Sequence, residues 1–168
     1  AIQIAHAGRK ASRLPAWQPG PAAPGWETLA PSAAAFEGFA TPRAMSEAEI
    51  FATITAFADA AKRSVRAGYT FIEIHAAHGY LVHQFLSPIS NQRNDDWGGD
   101  FEGRSRFARE VTKAVRAAIP DEIPLGIRIS HTDWVEGGWT TGEAVRLSAD
   151  LKALGVDIVD VSSGGLDA

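Results

Sequence analysis

The chain has 168 residues, 45% of them hydrophobic and 21% charged, which is the composition of a globular protein and not of a disordered or low-complexity one. Sixteen basic against twenty acidic residues give a net charge of −4, so nothing draws the chain to a phosphate backbone and nucleic acid is not an expected partner. Cysteine is absent, which removes disulfides, thiolate nucleophiles and Cys-based zinc sites. No apolar run approaches the ~18–20 residues of a membrane span, and a cytoplasmic location is the expectation.

The chain opens on a short strand, Ile2 to Ala5, with no initiator Met and no signal-peptide pattern. It stops at a strand followed by the glycine turn Gly164-Gly165. Both ends read as cut from the middle of something longer, with residues 1–168 forming one partial domain. From Gly8 to Pro42 runs a loop that holds six of the nine prolines. It is far longer than the roughly 4–6 residues usual between elements, which marks it as functional or lid-like, with Trp17, Trp26, Phe36 and Phe39 as candidate anchors.

Ser46-Glu47-Ala48-Glu49 is a capping box, and the apolar spacing of Ile50, Phe51, Ile54, Phe57 and Ala61 predicts a helix from Glu47 to Arg66, stopped at Gly68. Phe71 to Ile74 reads as a strand. Gly79 to Gly99 reads as a succession of short turns. A helix is predicted from Glu102 to Ile119, closed by Pro120, then a strand from Leu125 to Ile129. Thr140 with Glu143 forms a second capping box, for a helix to Leu154, and Val156 to Val161 is the last strand.

Strands alternating with helices imply βαβ crossovers and a parallel sheet. The polar-rich segments all follow strand C-termini, as in an α/β barrel or a doubly wound sheet. No G-x-G-x-x-G follows a strand and no Walker motif occurs, which disfavours the nucleotide-binding doubly wound version.

The strand ends carry the candidate chemistry. His75 and His78 stand three residues apart just past a strand, separated by the small Ala76 and Ala77. One tight turn would put both rings on the same side, where two imidazoles can bind a metal, share an oxyanion or polarise a carbonyl. Arg128 lies inside the apolar strand Leu125-Gly126-Ile127-Arg128-Ile129. It will not deprotonate, so it needs an anionic ligand or a carboxylate partner such as Glu73 or Asp160. Gln3 is a similar polar insertion in Ile2-Gln3-Ile4, suited to a ligand edge that alternates donor and acceptor, or to backbone satisfaction. Asn91 to Gly99 reads as a turn-rich scaffold in which Arg93, Asp96 and Arg104 can pair with each other.

Together these segments resemble the Old Yellow Enzyme family of flavin-dependent ene-reductases. The similarity lies in Ile74-His75-Ala76-Ala77-His78-Gly79-Tyr80-Leu81, Gln84-Phe85-Leu86-Ser87-Pro88, Asn91-Gln92-Arg93 and Asp96-Trp97-Gly98-Gly99. Upstream, Gln3-Ile4-Ala5-His6-Ala7-Gly8-Arg9 matches, and downstream Gly126-Ile127-Arg128-Ile129-Ser130 and Val161-Ser162-Ser163-Gly164-Gly165. The His-x-x-His form, with Trp134 to Trp139, is most similar to the xenobiotic-reductase and thermophilic-like branch.

The resemblance implies a TIM (β/α)8 barrel, this chain covering about strands 3 to 6, with noncovalent FMN and NADPH or NADH as reductant. The substrate would be an activated alkene, an α,β-unsaturated carbonyl or nitro compound. By the same resemblance Gln3 and Arg128 bind the flavin, and His75 and His78, with Ala76 and Ala77 between them, bind the substrate. Tyr80 is the proton donor, no metal is used, and the complete enzyme is a homo-oligomer. Gly103 departs from the Asn that many members carry. The isolated segment is expected neither to close a barrel nor to hold FMN tightly, so the remaining barrel segments or a complementary chain are expected partners. Two rivals follow from the residues: a metal-dependent TIM-barrel hydrolase using His75, His78 and Glu73, and a non-catalytic half-barrel.

Overall fold

The structure is a computed structural model that describes residues 1–12, 17 and 26–167. Four strands form one sheet: β1 (Ile2–Ile4), β4 (Ile72–Ala76), β5 (Leu125–Ser130) and β6 (Ile158–Ser162). Their order is β1-β4-β5-β6 and every pairing is parallel. Each strand is followed in space by the next one in sequence, so the sheet never reverses direction as a doubly wound sheet does. The crossover helices α1 (Glu47–Arg66), α3 (Phe101–Ala118) and α4 (Thr141–Ala153) pack α1 on α3 and α3 on α4 in one layer. This is the geometry of a barrel arc, with helices outside and a helix-free face within.

Both capping boxes form. Ser46 and Thr140 accept from the amides of Glu49 and Glu143, whose carboxylates reach back to the cap amides. Helix α1 has the predicted bounds, and α3 and α4 lie within one residue of theirs. The core consists of the helix faces and alternate strand residues, among them Ile72, Ile74, Leu125 and Ile127, all with no exposed surface. Phe85 and Phe107 stack at 4.3 Å between centroids within it.

Three expectations need correction. The stretch from Gly79 to Gly99 is not all turns: it contains α2 (Leu81–Leu86), every residue of which is buried. Its burial on all sides erases the polar face that would have marked a helix. The long loop contains the strand β2 (Leu29–Ala30), which pairs in parallel with β3 (Arg43–Ala44) just beyond its end. Within it Phe36 and Phe39 meet edge to face at 5.2 Å, whereas Trp17 and Trp26 are exposed and anchor nothing through burial. Residues 13–16 and 18–25 of that loop lie outside the described residues. Finally, Arg93, Asp96 and Arg104 do not pair with each other. Arg93 pairs with Asp95, Asp96 with Arg106, and Arg104 with Glu143.

The scaffold reading of Asn91 to Gly99 has a physical basis. Asn91 Nδ2 donates to Phe85 O at 2.7 Å and to Trp97 O at 2.8 Å. Arg93 Nη1 donates to Pro31 O and Met45 O, tying the long loop to the body. Gly103 has a steric reason: a Cβ there would sit 2.0 Å from the carbonyl oxygen of Gly98. Alanine is worth about 1 kcal/mol over glycine in a helix interior, but a backbone clash costs about 1–3 kcal/mol. Gly103→Ala is therefore expected to lower the urea midpoint of unfolding despite its better helix propensity; a raised midpoint would show that the turn yields.

Candidate active site

Parallel register decides what shares the helix-free face. Gln3, Glu73 and Gly126 are aligned across the first three strands. One layer higher, His75, Arg128 and Asp160 are aligned. Above them Ser130 pairs with Ser162. The polar residues thus form layers that rise toward the strand C-termini, alternating with the apolar residues that face the helices. At the base Phe71 fills the space over Gly126, where a Cβ would meet its ring at 2.5 Å.

Both polar insertions have partners in the chain. Gln3 Nε2 donates to Glu73 Oε2. Arg128 pairs with Asp160, its Nε 3.2 Å from Oδ2, although the N–H is not aligned on that oxygen and Nε has no hydrogen bond. Of the two carboxylates the sequence offers Arg128, the register supplies Asp160 and leaves Glu73 to Gln3.

His75 is the last polar residue of β4 on this face, buried, with Nδ1 lacking any hydrogen-bond partner. Its ring lies between those of His78, at 5.2 Å, and Tyr80, at 5.0 Å. The three come together because the chain turns sharply after Ala77. His78 and Gly79 have φ of +57° and +70°, and Tyr80 N donates to Ala77 O. Two positive φ values in the turn centre are what a type I′ turn requires, and at His78 they strain a residue that carries a Cβ.

The strained turn is held from several sides. His78 N donates to Ser130 Oγ at 3.1 Å, and its Nε2 is 2.7 Å from Ser162 Oγ. Lys10 Nζ donates to the carbonyls of His78 and Gly165 and lies 4.1 Å from the Phe36 ring centroid. Gly79 cannot be larger, since a Cβ would meet the Gly165 carbonyl oxygen at 2.2 Å.

Electrostatics keep the imidazoles neutral. Burial, reinforced by the positive Arg128, pushes His75 down to about 4, and burial pushes His78 down as well. A neutral imidazole offers one N–H and one lone pair, so the pair can donate to an oxygen without being cationic. Burial, with Arg9 nearby, lowers Lys10 to about 8.

Of the residues singled out from sequence, His75, His78, Tyr80 and Arg128 share one end of one face, with Gln3 one layer below His75. His6 does not join them: its Nδ1 accepts from Gly8 N at 3.0 Å and closes its own turn. Lys10, His83 and Asp133 were not anticipated. Lys10 is adjacent to Arg9 and reads as one more loop cation, and His83 is hidden in the unrecognised α2. Among the described residues no three His, Asp or Glu side chains are arranged to hold a metal ion. No helix among them is long and apolar enough to cross a membrane.

The neutral state of His75 has a thermodynamic consequence. In the unfolded chain its ring titrates at 6.5, in the folded chain at about 4. Below 6.5 the unfolded state therefore binds the proton first, and stability falls as pH drops from 6.5 toward 4. The His75 ring ¹⁵N shifts are expected to remain those of a neutral imidazole down to about pH 4, and His75→Asn should flatten the acid limb of the urea midpoint against pH.

The NADH:flavin oxidoreductase / NADH oxidase family matches residues 1–166. An NADPH dehydrogenase of Clostridium acetobutylicum is 46% identical over 99% of the chain and 46% of its own length. An NADH:flavin oxidoreductase of Gibberella zeae is 45% identical over 98% of the chain and 45% of its own length. Among solved structures, morphinone reductase in complex with tetrahydroNAD superposes with TM-score 0.81 at 32% identity, over 96% of the chain and 48% of that protein. A histamine dehydrogenase from Rhizobium sp. 4-9 gives 0.82 at 32%, over 98% and 23%. The chain spans about half the length of the curated relatives it matches, and its four-stranded sheet superposes on part of the TIM barrel of the solved structures. The chain belongs to the NADH:flavin oxidoreductase / NADH oxidase family, the Old Yellow Enzyme type.

Proposed function

We propose that this segment carries the substrate-activating half of an FMN-dependent NAD(P)H oxidoreductase that reduces the activated C=C bond of α,β-unsaturated carbonyl or nitro compounds. The observation that carries the reading is the cluster at the end of β4: two neutral imidazoles and a phenol beside a permanent cation on the next strand.

The side chains suit the cofactor. Gln3 brings an amide with both donor and acceptor character, and Arg128 a guanidinium whose buried Nε has no hydrogen bond. Both stand on the helix-free face, matching a ring edge of alternating N–H and C=O groups. FMN, reduced by NADPH or NADH, supplies a hydride to the β-carbon of the alkene when bound. Everything else falls to the protein. His75 and His78 donate N–H bonds to the carbonyl or nitro oxygen, where negative charge gathers as the hydride arrives. Ser162, donating its hydroxyl proton to His78 Nε2, would leave the ring proton on Nδ1 for that task. Ala76 and Ala77 are fully buried, Ala76 in the apolar core, so they serve the substrate by placing the two rings rather than by lining its space. Tyr80 holds the proton that the α-carbon takes up. Arg128 opposes negative charge on the reduced ring system, and Asp160 limits the field it exerts. The complete enzyme is a cytoplasmic homo-oligomer in this reading, with the rest of the barrel as this segment's first partner.

The test uses the complete barrel that contains this segment, purified with its flavin and assayed with NADPH or NADH against 2-cyclohexenone. Replacing one oxyanion donor, as in His78→Phe, is expected to lower kcat by about 10²-fold. Arg128→Leu is expected to weaken FMN retention, or to lower the reduction potential of the flavin that stays. A protein with no flavin absorbance, or one whose turnover ignores the His78 change, would overturn the assignment.

A further inference from the structure

We propose that His83 and Asp133 form a buried positioning pair that sets the His78-Gly79 turn, and through it the aim of His75 and His78. The inference deepens the proposed function, since it concerns the residues assigned there to the substrate.

The side chains of His83 and Asp133 have no exposed surface. No step above uses them. A buried carboxylate beside a buried imidazole is costly unless every polar atom is engaged. Here the outer atoms of the pair, Asp133 Oδ2 and His83 Nδ1, make directional hydrogen bonds, while the two facing atoms are held only in proximity. Asp133 Oδ2 accepts from Ser87 Oγ at 2.6 Å and from Trp139 N at 2.7 Å. Oδ1 lies 2.8 Å from His83 Nε2, a close charge–dipole contact in which the N–H is not aligned on the oxygen and neither atom has a hydrogen bond. On its other side His83 Nδ1 accepts from Gly79 N at 2.9 Å. Burial alone would raise the Asp133 carboxyl, but the donors around it outweigh burial and hold it below its ordinary value.

An Nδ1 that accepts from an amide cannot carry a proton, so the ring proton stands on Nε2, facing the carboxylate. The Gly79 amide thus requires the tautomer with its lone pair on Nδ1, and the Asp133 carboxylate 2.8 Å from Nε2 favours the same tautomer electrostatically. Gly79 is the second residue of the strained turn, next to His78. Its carbonyl is held from the same helix, by Gln84 Nε2 at 2.7 Å. Both peptide groups of Gly79 are thus gripped from α2, the short helix whose other members are apolar. Without an acceptor at His83, the Gly79 amide is a buried, unpaired donor in a turn already under strain.

The two ring nitrogens can be tested separately. Asparagine at 83 places its side-chain oxygen near the position of Nδ1 and keeps the acceptor for Gly79 while abandoning Asp133. Glutamine reaches toward Nε2, keeping the Asp133 contact and losing the acceptor. If the ring merely fills space, the two variants suffer alike. The measurement is made on the ¹⁵N-labelled chain without flavin, reading solvent exchange of the Gly79 amide and the ring ¹⁵N shifts of His75 and His78. His83→Asn is expected to keep both near wild type, whereas His83→Gln is expected to exchange the Gly79 amide about tenfold faster and to displace the ring shifts. Equal behaviour of the two variants, whether both wild-type-like, both displaced or both unfolded, overturns the proposal, as does the reverse order. Because neither flavin nor alkene enters the measurement, a failure of the proposed activity would leave this result intact.

Discussion

The alignment of β4, β5 and β6 is the constraint on which the rest hangs. Side chains alternate along each strand, so a slip of one residue would send His75 or Arg128 into the helix layer and bring an isoleucine to the inner face. The register is secured by the apolar set alone: Ile72, Ile74, Leu125 and Ile127 must meet the helices, and the polar set inherits its alignment. Chemistry on the inner face is in this sense a by-product of packing on the outer one. A permanent cation next to two imidazoles then decides their charge. Arg128 cannot deprotonate, so its field adds to burial in keeping His75 and His78 neutral.

A second constraint acts on the turn. Strands deliver side chains at fixed intervals, and no residue of a straight β4 could bring both rings within 5.2 Å while adding Tyr80 beside them. The chain achieves it with two consecutive residues of positive φ, one of them bearing a side chain. Such a conformation persists only where its surroundings over-determine it. Serines from β5 and β6, an ammonium from the first loop and a histidine and glutamine from α2 all bond to it. The site is rigid because its least comfortable segment has the most partners.

How far the sequence discloses this arrangement depends on whether a signal is local. Capping boxes are local, and Ser46 and Thr140 located two helices closely. Strand ends are local, and the polar residues read there do gather at one end of the sheet. The identity of the Arg128 partner is not local: Glu73 and Asp160 are both one strand away, and only the register separates them. Helix α2 escaped for a different reason. All six of its residues are buried, so no amphipathic period exists to read, and the glycine before it looks like a turn. With α2 went His83 and Gln84, whose polar groups in an apolar run were the remaining clue.

The inner face also shows how one segment can set the chemistry of a site without setting its strength. Arg128 and Asp160 pair at 3.2 Å, yet their side chains are 37% and 41% exposed. On the same edge strand Ile158, in the layer of Glu73 and Gly126, is half exposed, whereas Gly126 on β5 is buried. Water therefore still screens the ion pair and the field that Arg128 casts on the imidazoles. The Coulomb energy of a pair at this separation rises several-fold as the effective dielectric falls from about 80 toward about 20. Identity, register and protonation state are written into these four strands. The magnitude of each interaction is governed by whatever excludes water from the face, which in a closed barrel is the opposite wall.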